Sequence, residues 1–350
     1  MMLDTLALGP RIAHYAHAPA ERGLGWLHHA LQTAIELEHA TIPAYLFALY
    51  SIQPGANKAA ATIIQSIVAE EMLHMALAAN ILNAIGGHPH LGHAGFIPEY
   101  PCALPLGPQK HLLVPLERCS KRLIHDVFMV IEQPEYHDPH TERPKHTLGA
   151  FYQRIGRAIE ALGEPIFTGE ARLQVVGPLG REQLAAVRSP ADAQRAIRAI
   201  VDQGEGAGLH DPGAELGGDE GGDELAHYYR FAEIYEGRQA GLRGGQIVYD
   251  GAAVPFDQGA IWPVAPNPKA AQLAPGSPAR RQADAFNTMY SNLLRVLHSA
   301  FNGEPGLLDR AVGMMFALKL QAQQLMATPI GEGIDGPHAG PSFEYVPSQP

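Results

Sequence analysis

Acidic side chains recur inside the apolar stripes of long helical segments, and that placement limits what this chain can fold into. From about Leu24 to Ser51, the residues Leu27, Leu31, Ala34, Thr41 and Tyr45 return at three- and four-residue steps or their sums, the period of one helix face. Glu38 falls in that stripe, seven residues after Leu31 and seven before Tyr45. Pro43 predicts a kink rather than an end, because the pattern continues to Leu49. A second helix is expected over about 57–85, capped by Asn57 and stopped by Gly86 and Gly87, with Ile63, Ile67, Met75, Ala78 and Leu82 inward. On it, Glu71 and His74 form E-x-x-H. A three-residue step turns a helix by about 300°, so both side chains leave the same face from successive turns.

The device returns at Glu224 and His227, on a helix expected over 223–237 whose face continues through Phe231 and Ile234. A helix expected over about 190–205 carries Ile197 and Val201 onto Glu205. Bare carboxylates are expensive to desolvate, so a set of inward acids requires a compensating cation. A divalent metal supplies it: carboxylates chelate or bridge hard ions, and one neutral imidazole per ion adds a nitrogen donor while leaving positions open for oxygen or substrate. One Glu from each of two helices, with E-x-x-H from each of two others, is the di-iron pattern of four-helix bundles. The expected ligands are Glu38, Glu71, His74, Glu205 and His227, with Glu224 as an additional one. The expected metal is iron, one ion or two, with manganese as the alternative that similar ligands accept.

Each position also has an ordinary reading. Glu36 and His39 are the rival buried pair on the first helix, and Glu70 or Glu71 could be a solvent-side acid. Glu224 stands in a first turn, where the helix dipole favours any acid. Glu205 adjoins glycines and reads equally as loop polarity, and Glu160 competes with it for the fourth helix's contribution. His88, His90 and His93 read as loop residues, and Tyr45 and Tyr228 as core aromatics.

Between these helices the chain is Gly/Pro-rich. The segment 86–115 is long enough to be expected over the mouth of a site. Shorter helices are expected from Leu116 to about Glu132 and from Thr147 to Leu162, with LQVV (173–176) as a short strand. Helices at about 283–301 and 307–326 are expected to pack on the bundle, which makes 1–350 a single, mainly α domain. The net charge of -11 excludes a general nucleic-acid binder, and no run of about 20 apolar residues offers a membrane span. Cys102 and Cys119 are too far apart for a CxxC pair, and isolated thiols with no signal-like N-terminus fit a cytoplasmic protein.

The segments ELEHATIPAYLFALYSI, IVAEEMLHMALAANILNAIGG, IVDQGEG, ELAHYYRFAEI and the later MYSNLLRVLHSAFNG and AVGMMFALKLQAQQLM resemble the ferritin-like domain of iminophenyl-pyruvate dimer synthases, over roughly residues 20–330. The resemblance implies a ferritin-like four-helix bundle with additional helices and long loops, and a metal site at Glu38, Glu71, His74, Glu205 and His227. It also implies an oxidoreductase of secondary metabolism that acts, with dioxygen, on a small substrate derived from an aromatic amino acid. The synthase of the pigment pathway is much longer than this chain. The rival readings are an iron store, which would assemble a closed shell rather than a monomer or homodimer, and a metal-free structural member.

Overall fold

The structure, a computed structural model, describes residue 11 and residues 23–104, 112–133, 148–179, 182–204, 225–244, 246–331 and 336–348. The first helix, α1 (Leu24–Ser51), runs through Pro43. From Thr33 to Tyr45 every residue is buried, so the apolar stripe read from the sequence is only part of what α1 covers. Helix α2 (Lys58–Ala84) packs along it. Asn57 does not cap α2 with its side chain: it takes a left-handed φ of 44° and trades hydrogen bonds with the backbone of Asp257 at 2.9 and 2.7 Å. Gly86 ends the helix at a φ of 77°, which a side chain would resist.

A short third helix, α3, is built as Lys121–Leu123, a π-helical stretch Ile124–Phe128, and Met129–Ile131. Helices α4 (Leu148–Leu162) and α5 (Pro190–Gly204) follow, and α1, α2, α5 and α4 pack in a ring. Helix α6 (His227–Glu236) packs on α2 and α3. The last pair, α7 (Pro278–Ala300) and α8 (Leu308–Met326), pack on each other, and α8 lies against α1. Among the described residues, three antiparallel strand pairs decorate the helices: Cys102–Leu104 with Leu112–Val114, Gly177–Leu179 with Glu182–Leu184, and Gly241–Arg243 with Gln246–Val248. The LQVV segment is not a strand; its first residue closes a 3-10 turn, and pairing begins at Gly177. The result is a mainly α-helical bundle with extra helices and loops. No helix among the described residues is long and apolar enough to cross a membrane.

Both faces of α1 carry buried polar groups. Away from Glu38, Glu36 pairs with Arg11, and His39 Nε2 lies 2.5 Å from the Tyr290 hydroxyl on α7. Burial pushes the His39 imidazole down to about 3, so it is neutral. The described part of the 86–115 segment packs on this face, with Phe96 against the His39 ring and the Tyr100 hydroxyl donating to the Ala40 carbonyl at 2.7 Å. It does not cover the Glu38 face, because α4 and α5 already close that side.

Candidate metal centre

Among the described residues, two groups of three buried ligand side chains meet inside the bundle: Glu38, Glu71 and His74, and Glu71, Glu132 and His227. In each group one ligand atom per residue lies within 4.8 Å of the others, and Glu71 belongs to both. Helix α1 supplies Glu38, α2 supplies Glu71 and His74 from successive turns, and His227 stands at the first residue of α6. Glu132 follows the last turn of α3. Sequence reasoning passed over it, although Ile124, Phe128 and Glu132 repeat at four-residue steps as the other stripes do.

The Glu224–His227 pair is not an E-x-x-H within one helix. Leu225 and Ala226 are non-helical, Ala226 with a ψ of 156°, and α6 opens only at His227. Glu224 itself, and Glu205, lie outside the described residues. Glu160 is exposed and takes no part. From its helix, Tyr152 reaches the site instead and donates to Glu38 Oε1 at 2.5 Å. Tyr45, read from the sequence as a core aromatic, donates to Glu132 Oε1. The Thr41 hydroxyl lies 2.9 Å from Glu71 Oε2.

The histidines are set by what their outer nitrogens touch. His227 Nε2 is 2.8 Å from Glu70 Oε2, and a carboxylate can only accept, so the proton sits on Nε2. Arg230 grips the same carboxylate at 2.7 and 2.8 Å and also bonds Ser66. Burial alone would raise Glu70; His227 and then Arg230 reverse that and hold its carboxyl at about 2. His74 Nε2 faces Gln203 Oε1 at 2.9 Å, again placing the proton outward. Both Nδ1 atoms therefore turn to the carboxylates. His74 Nδ1 is 3.6 Å from Glu38 Oε2, and His227 Nδ1 is 3.0 Å from Glu71 Oε1 and 3.5 Å from Glu132 Oε2. The two rings stack with centroids 5.6 Å apart.

His227 Nδ1 is fully buried yet is aligned for a hydrogen bond with neither carboxylate. It stands against their charges, where a cation held by all three groups would take its lone pair. Three buried carboxylates crowd the same space, and burial followed by the Glu132 charge pushes Glu71 up to about 7. Burial opposes a charge on His74 and His227, but the acids around them prevail and raise both. Without a cation the site thus stores protons to offset its acids. An outward-tethered imidazole, an inward ring nitrogen facing carboxylates and a shared carboxylate fit one or two divalent ions of the iron or manganese kind.

A cavity of about 10 Å³ adjoins these groups, walled by Leu148 and Gly149 on α4 and by Ile200, Val201 and Gly204 on α5. Fold and site together define a helical bundle with a buried carboxylate–histidine centre. The chain belongs to the ferritin-like family, whose model matches residues 31–236. A crystal structure of a ferritin-like protein from Caulobacter vibrioides is similar in fold, with a TM-score of 0.60 and 22% identity over 94% of this chain and 100% of that one. No curated protein matches the chain in sequence.

Proposed function

We propose that the chain is a metal-dependent oxidoreductase that holds iron in its two triads and acts, with dioxygen, on a small substrate derived from an aromatic amino acid. The observation that carries the reading is the pair of triads sharing Glu71, with His227 Nδ1 buried and turned toward two carboxylates. The resemblance to iminophenyl-pyruvate dimer synthases supports the substrate class and a role in secondary metabolism.

In this reading Glu38 and His74 would hold one ion and Glu132 and His227 the other, with Glu71 available to both. Bound there, iron supplies Lewis acidity and one-electron redox chemistry. The protein's own residues prepare the site. Tyr152 and Tyr45 fix the free oxygens of Glu38 and Glu132 by donating to them. Glu70 and Gln203 keep the imidazole protons outward. Leu148, Ile200 and Val201 place apolar surface over the remaining space, so bulk water is restricted at the centre.

The test is metal content by mass spectrometry on aerobically purified protein, beside the Glu71→Ala/His74→Ala double variant. About two irons per chain are expected, falling to well below one in a variant whose circular dichroism stays helical. No metal in the unmodified protein, even after anaerobic reconstitution with ferrous iron, would overturn the proposal.

A further inference from the structure

On the face of α1 opposite the metal centre, a second cavity of about 60 Å³ lies between α1, α2, α7 and α8. Its walls are largely apolar, with Leu294 and three methionines, Met72, Met75 and Met315, among them. His39 and Tyr290 also line it. His39 is buried, and while Nε2 is engaged with the Tyr290 hydroxyl, Nδ1 has no hydrogen-bond partner. A buried polar atom left unpaired beside an apolar chamber is an anchor point without an anchored group.

We infer that this chamber is a second ligand site, for a compact, mostly apolar molecule that carries one hydrogen-bonding group and places it on His39 Nδ1. Water is a poor occupant, because a buried water needs two to four polar partners and the wall is largely apolar apart from His39 and Tyr290. Its volume of about 60 Å³ suits roughly three to five heavy atoms. Unbranched methionine side chains adjust to the shape of such a guest at little cost. The inference is independent of iron, since none of the chamber's residues is among the proposed ligands.

The probe is 2-propanol, with propane as its apolar counterpart, read on the ε-methyl resonances of 13C-methionine-labelled full-length protein. Saturable shifts are expected at Met72, Met75 and Met315 and not at Met129. The His39→Phe variant should weaken 2-propanol about tenfold and leave propane nearly unchanged, as loss of one hydrogen bond to a buried hydroxyl requires. A soaked crystal of the unmodified protein gives a second reading that needs no variant. There the alcohol oxygen should lie within hydrogen-bond distance of His39 Nδ1. The inference is overturned by the absence of saturable shifts at those methionines, by equal weakening of both probes in the variant, or by alcohol bound elsewhere in the crystal.

Discussion

Replacing Glu70 by Gln removes one charge while keeping the side chain's shape, and the structure fixes what that should do to the metal-free protein. The carboxylate accepts from His227 Nε2 at 2.8 Å and from Arg230 at 2.7 and 2.8 Å. Its carboxyl is held at about 2 against an ordinary 4.5. That gap corresponds to about 3 kcal/mol favouring the ionised group in the folded chain. Because the folded value is depressed, the stabilisation is complete above about pH 5 and fades as pH falls toward 2. Urea unfolding in the presence of chelator, followed by far-UV circular dichroism, should show the variant less stable by about 3 kcal/mol at pH 7 and by about half that at pH 3. Breaking a buried ion pair from one side acts in the same direction, since Arg230 is left with a weaker partner. A difference below about 1 kcal/mol at pH 7, or one that does not shrink on acidification, would refute the reasoning.

Three further outcomes follow from the same geometry. Metal affinity should fall as pH drops, since the raised Glu71, His74 and His227 bind protons in the metal-free site and must lose them to bind; chelator competition between pH 5.5 and 8, roughly, measures it. Tyr152→Phe deprives Glu38 of its 2.5 Å donor and should destabilise the metal-free protein by about 1–3 kcal/mol in the same urea assay. Gly169→Ala would place a Cβ 1.7 Å from the Asn83 carbonyl oxygen, against rigid Asn83 and Ala84 backbone, and should cost at least about 2 kcal/mol by thermal or urea unfolding.

Local sequence was sufficient wherever one helix determined the answer. The periodicities placed α1, α2, α5, α7 and α8 within a few residues of their bounds. The E-x-x-H spacing placed Glu71 and His74 on one face, because the rise and turn of a helix are the same in every fold. The α6 segment shows the limit: E-x-x-H guarantees a common face only inside a helix, and the chain becomes helical at His227 itself. Glu132 escaped because its segment is short and partly π-helical, so its stripe consists of only Ile124, Phe128 and Glu132.

What the sequence determined by itself is that several long helices bury carboxylates and imidazoles, and that such burial demands compensating charge. Tertiary structure decided which of those groups meet. Burial along α1 does not distinguish Glu38 from Glu36 or His39, since all three are buried. The distinction arises because α2, α4 and α6 bring Glu71, Tyr152 and His227 to one side, while α7 and the 86–104 segment bring Tyr290 and Phe96 to the other. The tether of His227 to Glu70 and the bond from Tyr152 to Glu38 join residues more than a hundred positions apart. Periodicity reports which side of a helix avoids water, but the partner it finds there depends on how distant segments pack.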